Sequence, residues 1–76
     1  MRVIIAKVDE TYFDGEADSL TAPGTEGEMT ILPKHMPVIT TLKEGKITVR
    51  SNGETKEFSI DEGILEVHGE GVTVVL

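Results

Sequence analysis

The chain has 76 residues and a mass of 8.2 kDa, which is one small domain over residues 1–76 with a thin core, since a chain of this size buries only about 60% of its unfolded surface. With no cysteine it has no disulfide, no thiolate metal site and no cysteine nucleophile. A net charge of −7 and a pI near 4.6 argue against a nucleic-acid surface, because phosphate binding draws on clustered Lys and Arg.

Met1-Arg2-Val3-Ile4-Ile5 turns polar by Lys7, and the longest apolar runs span four residues or fewer. The stretch reads as a first strand over Val3–Val8, too short for a membrane span or a signal-peptide core. An acidic turn at Asp9-Glu10 follows, then extended structure from Thr11 to Phe13 and a tight-turn pair at Asp14-Gly15. Glu16–Ala22 alternates unevenly, with Ala17, Leu20 and Ala22 available to face inward. The polar stretch Pro23-Gly24-Thr25-Glu26-Gly27-Glu28 suits a type II turn at its Pro-Gly pair. Met29–Leu32 is a short strand that Pro33 ends, and Pro33 and Pro37 leave no room for a helix between them. Val38–Leu42 leads to a turn at Glu44-Gly45, and Lys46-Ile47-Thr48-Val49-Arg50 alternates strictly. Asn52-Gly53 is the strongest hairpin signal in the chain, because this pair accepts the positive φ values of a type I′ turn. Strands over Glu54–Ile60, Ile64–Val67 and Val72–Leu76 complete the pattern. Val, Ile and Thr make up about a third of the chain against three Ala, a composition that packs well on pleated surfaces. Strands of this length at this spacing predict an all-β sandwich or barrel.

Catalytic motifs are missing. There is no phosphate-binding G-x-x-x-x-G-K-[S/T], and Ser19, Ser51 and Ser59 have no activating neighbourhood. His35 and His68 lack metal-ligand spacing, so the chain is expected not to be an enzyme and to hold no metal or cofactor. Asp14, Glu16 and Asp18 stand at alternate positions; a calcium loop would also need a glycine sixth and a glutamate twelfth, and in a strand alternate carboxylates simply share the solvent face. Glu26 and Glu28 lie on a polar loop where they could meet a cationic partner. His35 reads either as a half-buried imidazole bonded to a carbonyl or as the polar handle of an exposed ridge, Met36-Pro37-Val38. His68 reads as surface.

Phe13-x-Gly15-Glu16-Ala17-Asp18, then Pro23-Gly24-Thr25-Glu26-Gly27-Glu28, then Ile31-Leu32-Pro33-x-His35-x-Pro37-Val38 resemble the N-terminal domain of the ATP synthase epsilon subunit family. Leu42-Lys43-x-Gly45, Gly63-Ile64-Leu65-Glu66-Val67 and Val72-Thr73-Val74 follow in the same order, so the resemblance covers essentially the whole chain. It implies a flattened ten-stranded β-sandwich of two sheets. It also implies a subunit that does no chemistry, binds the gamma subunit at the foot of the central stalk and touches the polar loops of the c-ring. Such a subunit sits at the cytoplasmic face of the bacterial plasma membrane without entering it. By position, Glu28, with Glu26 beside it, resembles the carboxylate facing the c-ring loops. His35, Met36, Pro37, Val38 and Thr40, with Lys7 near that edge, resemble the face against gamma.

Thr30 and Lys34 stand where that family usually has Gly, and Met36 replaces a small residue. Many members continue into two C-terminal helices that bind ATP in some cases and inhibit hydrolysis. This chain stops on its last strand at Leu76, so it is expected to be a naturally short form rather than an excised domain, with no C-terminal helical hairpin. The alternatives are a freestanding acidic β-sandwich binding a soluble protein or a carbohydrate outside any ATPase, and a small calcium module.

Overall fold

The computed structural model describes residues 1–76, all in strands and the links between them. In chain order the strands are β1 (Arg2–Lys7), β2 (Glu10–Glu16), β3 (Ser19–Gly24), β4 (Gly27–Ile31), β5 (Val38–Leu42), β6 (Gly45–Ser51), β7 (Glu54–Ile60), β8 (Gly63–His68) and β9 (Gly71–Val75). Five strands form one layer in the spatial order β2-β1-β9-β8-β5, and β4, β3, β6 and β7 form the other. All pairs are antiparallel except β1 and β9, which run parallel.

Each layer turns one face inward, most clearly in β1, β3, β6 and β8, where buried residues alternate with more exposed ones. Val3 and Ile5 of β1, Leu65 and Val67 of β8, and Val72 and Val74 of β9 meet Leu20 and Ala22 of β3, Ile31 of β4 and Ile47 and Val49 of β6 in one cluster of 14 buried residues. β-branched side chains fill this space because a pleated strand already holds them in their preferred rotamers. Phe13 of β2 and Phe58 of β7 close the far side edge to face, with ring centroids 6.2 Å apart.

The all-β sandwich expected from the sequence is the fold of the chain, with three differences in detail. Nine strands form where ten are expected, and Leu32–Pro37 contributes none, because its two prolines lack the N–H a ladder needs. The two layers are also joined into one hydrogen-bonded sheet by a short β3–β5 seam at Gly24 and Leu42. Finally, two expected turns lie inside strands. Asp14-Gly15 pairs with Val3 and Ile4 within β2, a bulge at Ile5/Ala6 bending the hairpin. Pro23-Gly24 pairs with Gly27 and Glu28 within the β3–β4 hairpin, whose tip is Thr25-Glu26. Gly24 permits that closeness: a Cβ there would lie 2.7 Å from the Gly27 carbonyl oxygen.

Asn52-Gly53 does form the β6–β7 turn, with φ of 51° and 79°, the paired positive values of a type I′ turn.

Candidate docking site

The sandwich buries no polar or charged side chain. Catalytic groups take their altered reactivity from desolvation and close charge partners, and this chain offers no such interior position. Asp14, Glu16 and Asp18 do not converge: Asp14 accepts from Arg2 Nη2 at 2.8 Å and Asp18 accepts from the Asn52 N–H at 3.1 Å. No group of three or more His, Asp or Glu side chains could hold a metal ion. What remains is surface, and it is uneven.

The outward face of the four-stranded layer is polar. Thr30, Thr21 and Thr48 lie in register across β4, β3 and β6, Thr21 and Thr30 share a hydroxyl hydrogen bond of 3.1 Å, and Arg50 donates to Thr21 at 3.3 Å. The outward face of the five-stranded layer is apolar along a diagonal. Ile39 of β5 pairs with Glu66 of β8 and lies diagonal to Ile64, two register positions on; Ile64 pairs with Val75 of β9, and Val75 pairs with Ala6 of β1. Ile39, Ile64 and Val75 are 69%, 49% and 54% exposed. Scattered exposed apolar residues are ordinary, whereas several on one sheet face make that face a candidate docking surface.

The residues expected to meet gamma stand at the two ends of this ridge rather than in one cluster. Lys7 follows Ala6 at the end of β1, its ammonium 6.0 Å from the centre of the Tyr12 ring. Val38 precedes Ile39 at the opposite corner, on the inward side of β5 together with half-buried Thr40. His35 is exposed and donates from Nδ1 to the Met36 carbonyl at 2.8 Å, while Met36 is 78% exposed and Pro37 is exposed too. His35 therefore combines both expectations: it is bonded to a carbonyl and belongs to an exposed apolar stretch. His68 is half-buried instead of surface, accepting at Nδ1 from the Glu70 N–H at 3.3 Å and donating from Nε2 to Thr73 Oγ1 at 3.0 Å.

The ridge residues Ile39, Ile64 and Val75 escaped the sequence reading. Each is an apolar residue in a strand with apolar residues at alternate and neighbouring positions, so period-two patterning cannot say which side is solvent. The clue was the consecutive pairs Val38-Ile39, Ile64-Leu65 and Val74-Val75: in each, one member must point outward.

Glu26 and Glu28 are exposed on the β3–β4 hairpin. The hairpin is fixed at its tip: the Thr25 N–H donates to the Thr41 carbonyl at 3.1 Å, the Lys43 N–H to the Pro23 carbonyl at 2.9 Å, and the Thr25 and Thr41 hydroxyls lie 3.0 Å apart. Thr41 pairs with Ile64. The acidic hairpin and the apolar ridge thus adjoin.

Comparison with known proteins gives a consistent picture. The family described as "ATP synthase, Delta/Epsilon chain, beta-sandwich domain" matches residues 1–76. The ATP synthase epsilon chain of Caulobacter vibrioides is 46% identical over 67 residues, 88% of this chain and 78% of that one. That of Stenotrophomonas maltophilia (strain K279a) is 46% identical over 76 residues, 99% of this chain; the chain spans 54% of that relative's length. Among solved structures, a chain of the Euglena gracilis mitochondrial ATP synthase, in an assembly of OSCP, F1 and c-ring, is similar with a TM-score of 0.88 at 25% identity, covering 96% of this chain and 48% of that one.

Proposed function

The chain belongs to the family of the ATP synthase delta/epsilon chain, matching its β-sandwich domain from end to end, and from that premise we propose that it serves as the epsilon subunit of a bacterial-type F-type ATP synthase. In this role it does no chemistry. It binds the gamma subunit and touches the c-ring loops, passing rotation driven by ion flow to the catalytic head, at the cytoplasmic face of the plasma membrane.

The observation that carries this reading is the pairing of the two surfaces. An apolar ridge, Ile39-Ile64-Val75-Ala6, flanked by Lys7 at one end and His35, Met36, Pro37 and Val38 at the other, suits a stable contact with gamma. An exposed anionic hairpin beside it, with Glu26 and Glu28, suits cationic ring loops, where exposed charges set register and encounter rate more than affinity.

The test is Glu28→Lys in an ATP synthase assembled with this chain. Glu28 is exposed and makes no ion pair, so the variant should keep its stability within about 0.5 kcal/mol. Ion-driven ATP synthesis should fall. Synthesis at the wild-type rate in a fully assembled variant would remove Glu28 from the coupling contact.

A further inference from the structure

The acidic hairpin is held to the apolar face by one short seam, and that seam is the only ladder between the two layers of the sandwich. On one side of it lie Pro23, Gly24 and Thr25, and on the other Thr41, Leu42 and Lys43. Two backbone hydrogen bonds and the Thr25–Thr41 hydroxyl pair close it. Beyond the seam the hairpin tip has no other side-chain tie: neither Glu26 nor Glu28 makes a hydrogen bond or an ion pair, and Gly27 at the turn has a φ of 136° with nothing within 4 Å of a Cβ placed there. β6 pairs with β3 only over Ser19–Thr21, and β4 pairs with no strand but β3, so the Pro23–Glu28 end of the hairpin extends past its β6 support. Here its tip is pinned instead to Thr41, whose strand neighbour on the outward face is Ile64 of the ridge.

We infer that Thr25 and Thr41 are positioning residues that set the angle of the acidic hairpin against the apolar face, so that a load applied at Glu26 and Glu28 reaches the ridge through the seam instead of bending the hairpin. This rests on the function proposed above, because it takes the hairpin and the ridge as the two contacts. The physical basis is the difference between a fixed lever and a loose one. Both threonines are exposed, so each hydroxyl competes with water and their pair adds little to global stability. Its effect is local: it adds a side-chain tie to the two backbone hydrogen bonds at the tip and so narrows the geometries the tip samples. The same threonines carry nothing else that demands a hydroxyl, and valine preserves their shape and β-branching at both positions.

The experiment compares wild type with Thr25→Val, Thr41→Val, the double variant and Thr41→Ser in an assembled bacterial ATP synthase depleted of its own epsilon subunit. Two readouts are taken: amide hydrogen exchange at Thr25 and through 26–28, and ions pumped per ATP hydrolysed. Each valine variant should speed exchange at Thr25 by roughly two- to fivefold, the range that loss of one modest hydrogen bond gives. Pumping per ATP should fall while affinity for gamma stays at the wild-type value. The double variant should be no worse than either single one, since the first substitution already removes the shared bond. Thr41→Ser should restore both readouts. Full pumping efficiency despite faster exchange would overturn the inference while leaving the proposed function intact, and unchanged exchange would show that the hydroxyl pair restrains nothing. A wild-type chain that binds no gamma subunit would overturn both.

Discussion

At the scale of single residues, backbone conformation decides several identities. Gly71 has a φ of 149°, and a Cβ there would collide with the Arg2 carbonyl oxygen. The parallel pairing of β1 with β9 and the turn that precedes it both need the missing side chain. Gly71→Ala should therefore destabilise the domain by about 2–4 kcal/mol, through strain at a position nearly closed to L-residues and displacement of β1; urea unfolding monitored by circular dichroism measures it, and a loss under about 0.5 kcal/mol would mean that β1 yields easily. Lys34 is a different case. It holds a φ of 68°, a conformation that costs a non-glycine residue energy. That position was visible in the sequence as a departure from the family pattern, although its backbone angle was not. Gly71, by contrast, reads as one more turn glycine until its neighbour across the sheet is known.

At the scale of elements, the second half of the chain was legible because local signals agree with one another. Lys46–Arg50 alternates, Asn52-Gly53 turns, and Glu54–Ile60 alternates back, so turn type and register reinforce each other. Gly53 sits at a φ of 79° in open space. Gly53→Val should cost roughly 1 kcal/mol or more, entirely from backbone strain, since a β-branched residue resists positive φ. A thermal melt equal to wild type would show that the turn can change type without penalty. The first half was less legible. Asp14-Gly15 and Pro23-Gly24 also carry turn chemistry, yet both lie inside strands. What decides against them is non-local. β2 must supply partners along β1, including Gly15 against Val3, and Pro23-Gly24 must continue β3 far enough to meet Leu42 of β5. No window of sequence contains those partners.

At the scale of the whole molecule, the two outward faces differ in kind. One carries a threonine row, the other, beside Glu66 and the Arg2–Asp14 pair, a diagonal of Ile39, Ile64, Val75 and Ala6. Composition and spacing predicted an all-β sandwich or barrel with an acidic surface, and the chain folds as the sandwich. Glu26 and Glu28 were read as lying on a polar loop, which the structure forms as the β3–β4 hairpin, and Met36-Pro37-Val38 was read as an exposed stretch, which lies near one end of the apolar diagonal. The middle of that face was hidden, because a strand that is apolar on both sides looks like one buried on both sides. Only the layer order reveals that β1, β9, β8 and β5 have nothing packed on their outer face.

The most direct test of the central claim is titration calorimetry of the chain with a bacterial gamma subunit, repeated with Ile64→Lys. A stoichiometric complex of submicromolar affinity is expected, weakened at least about tenfold by the buried charge, or more than about 1.4 kcal/mol, while the melting temperature of the free variant stays near wild type because Ile64 is half exposed. A folded, monomeric wild-type chain that binds no gamma subunit, or an Ile64→Lys variant that binds as tightly as wild type, would contradict the assignment of this face.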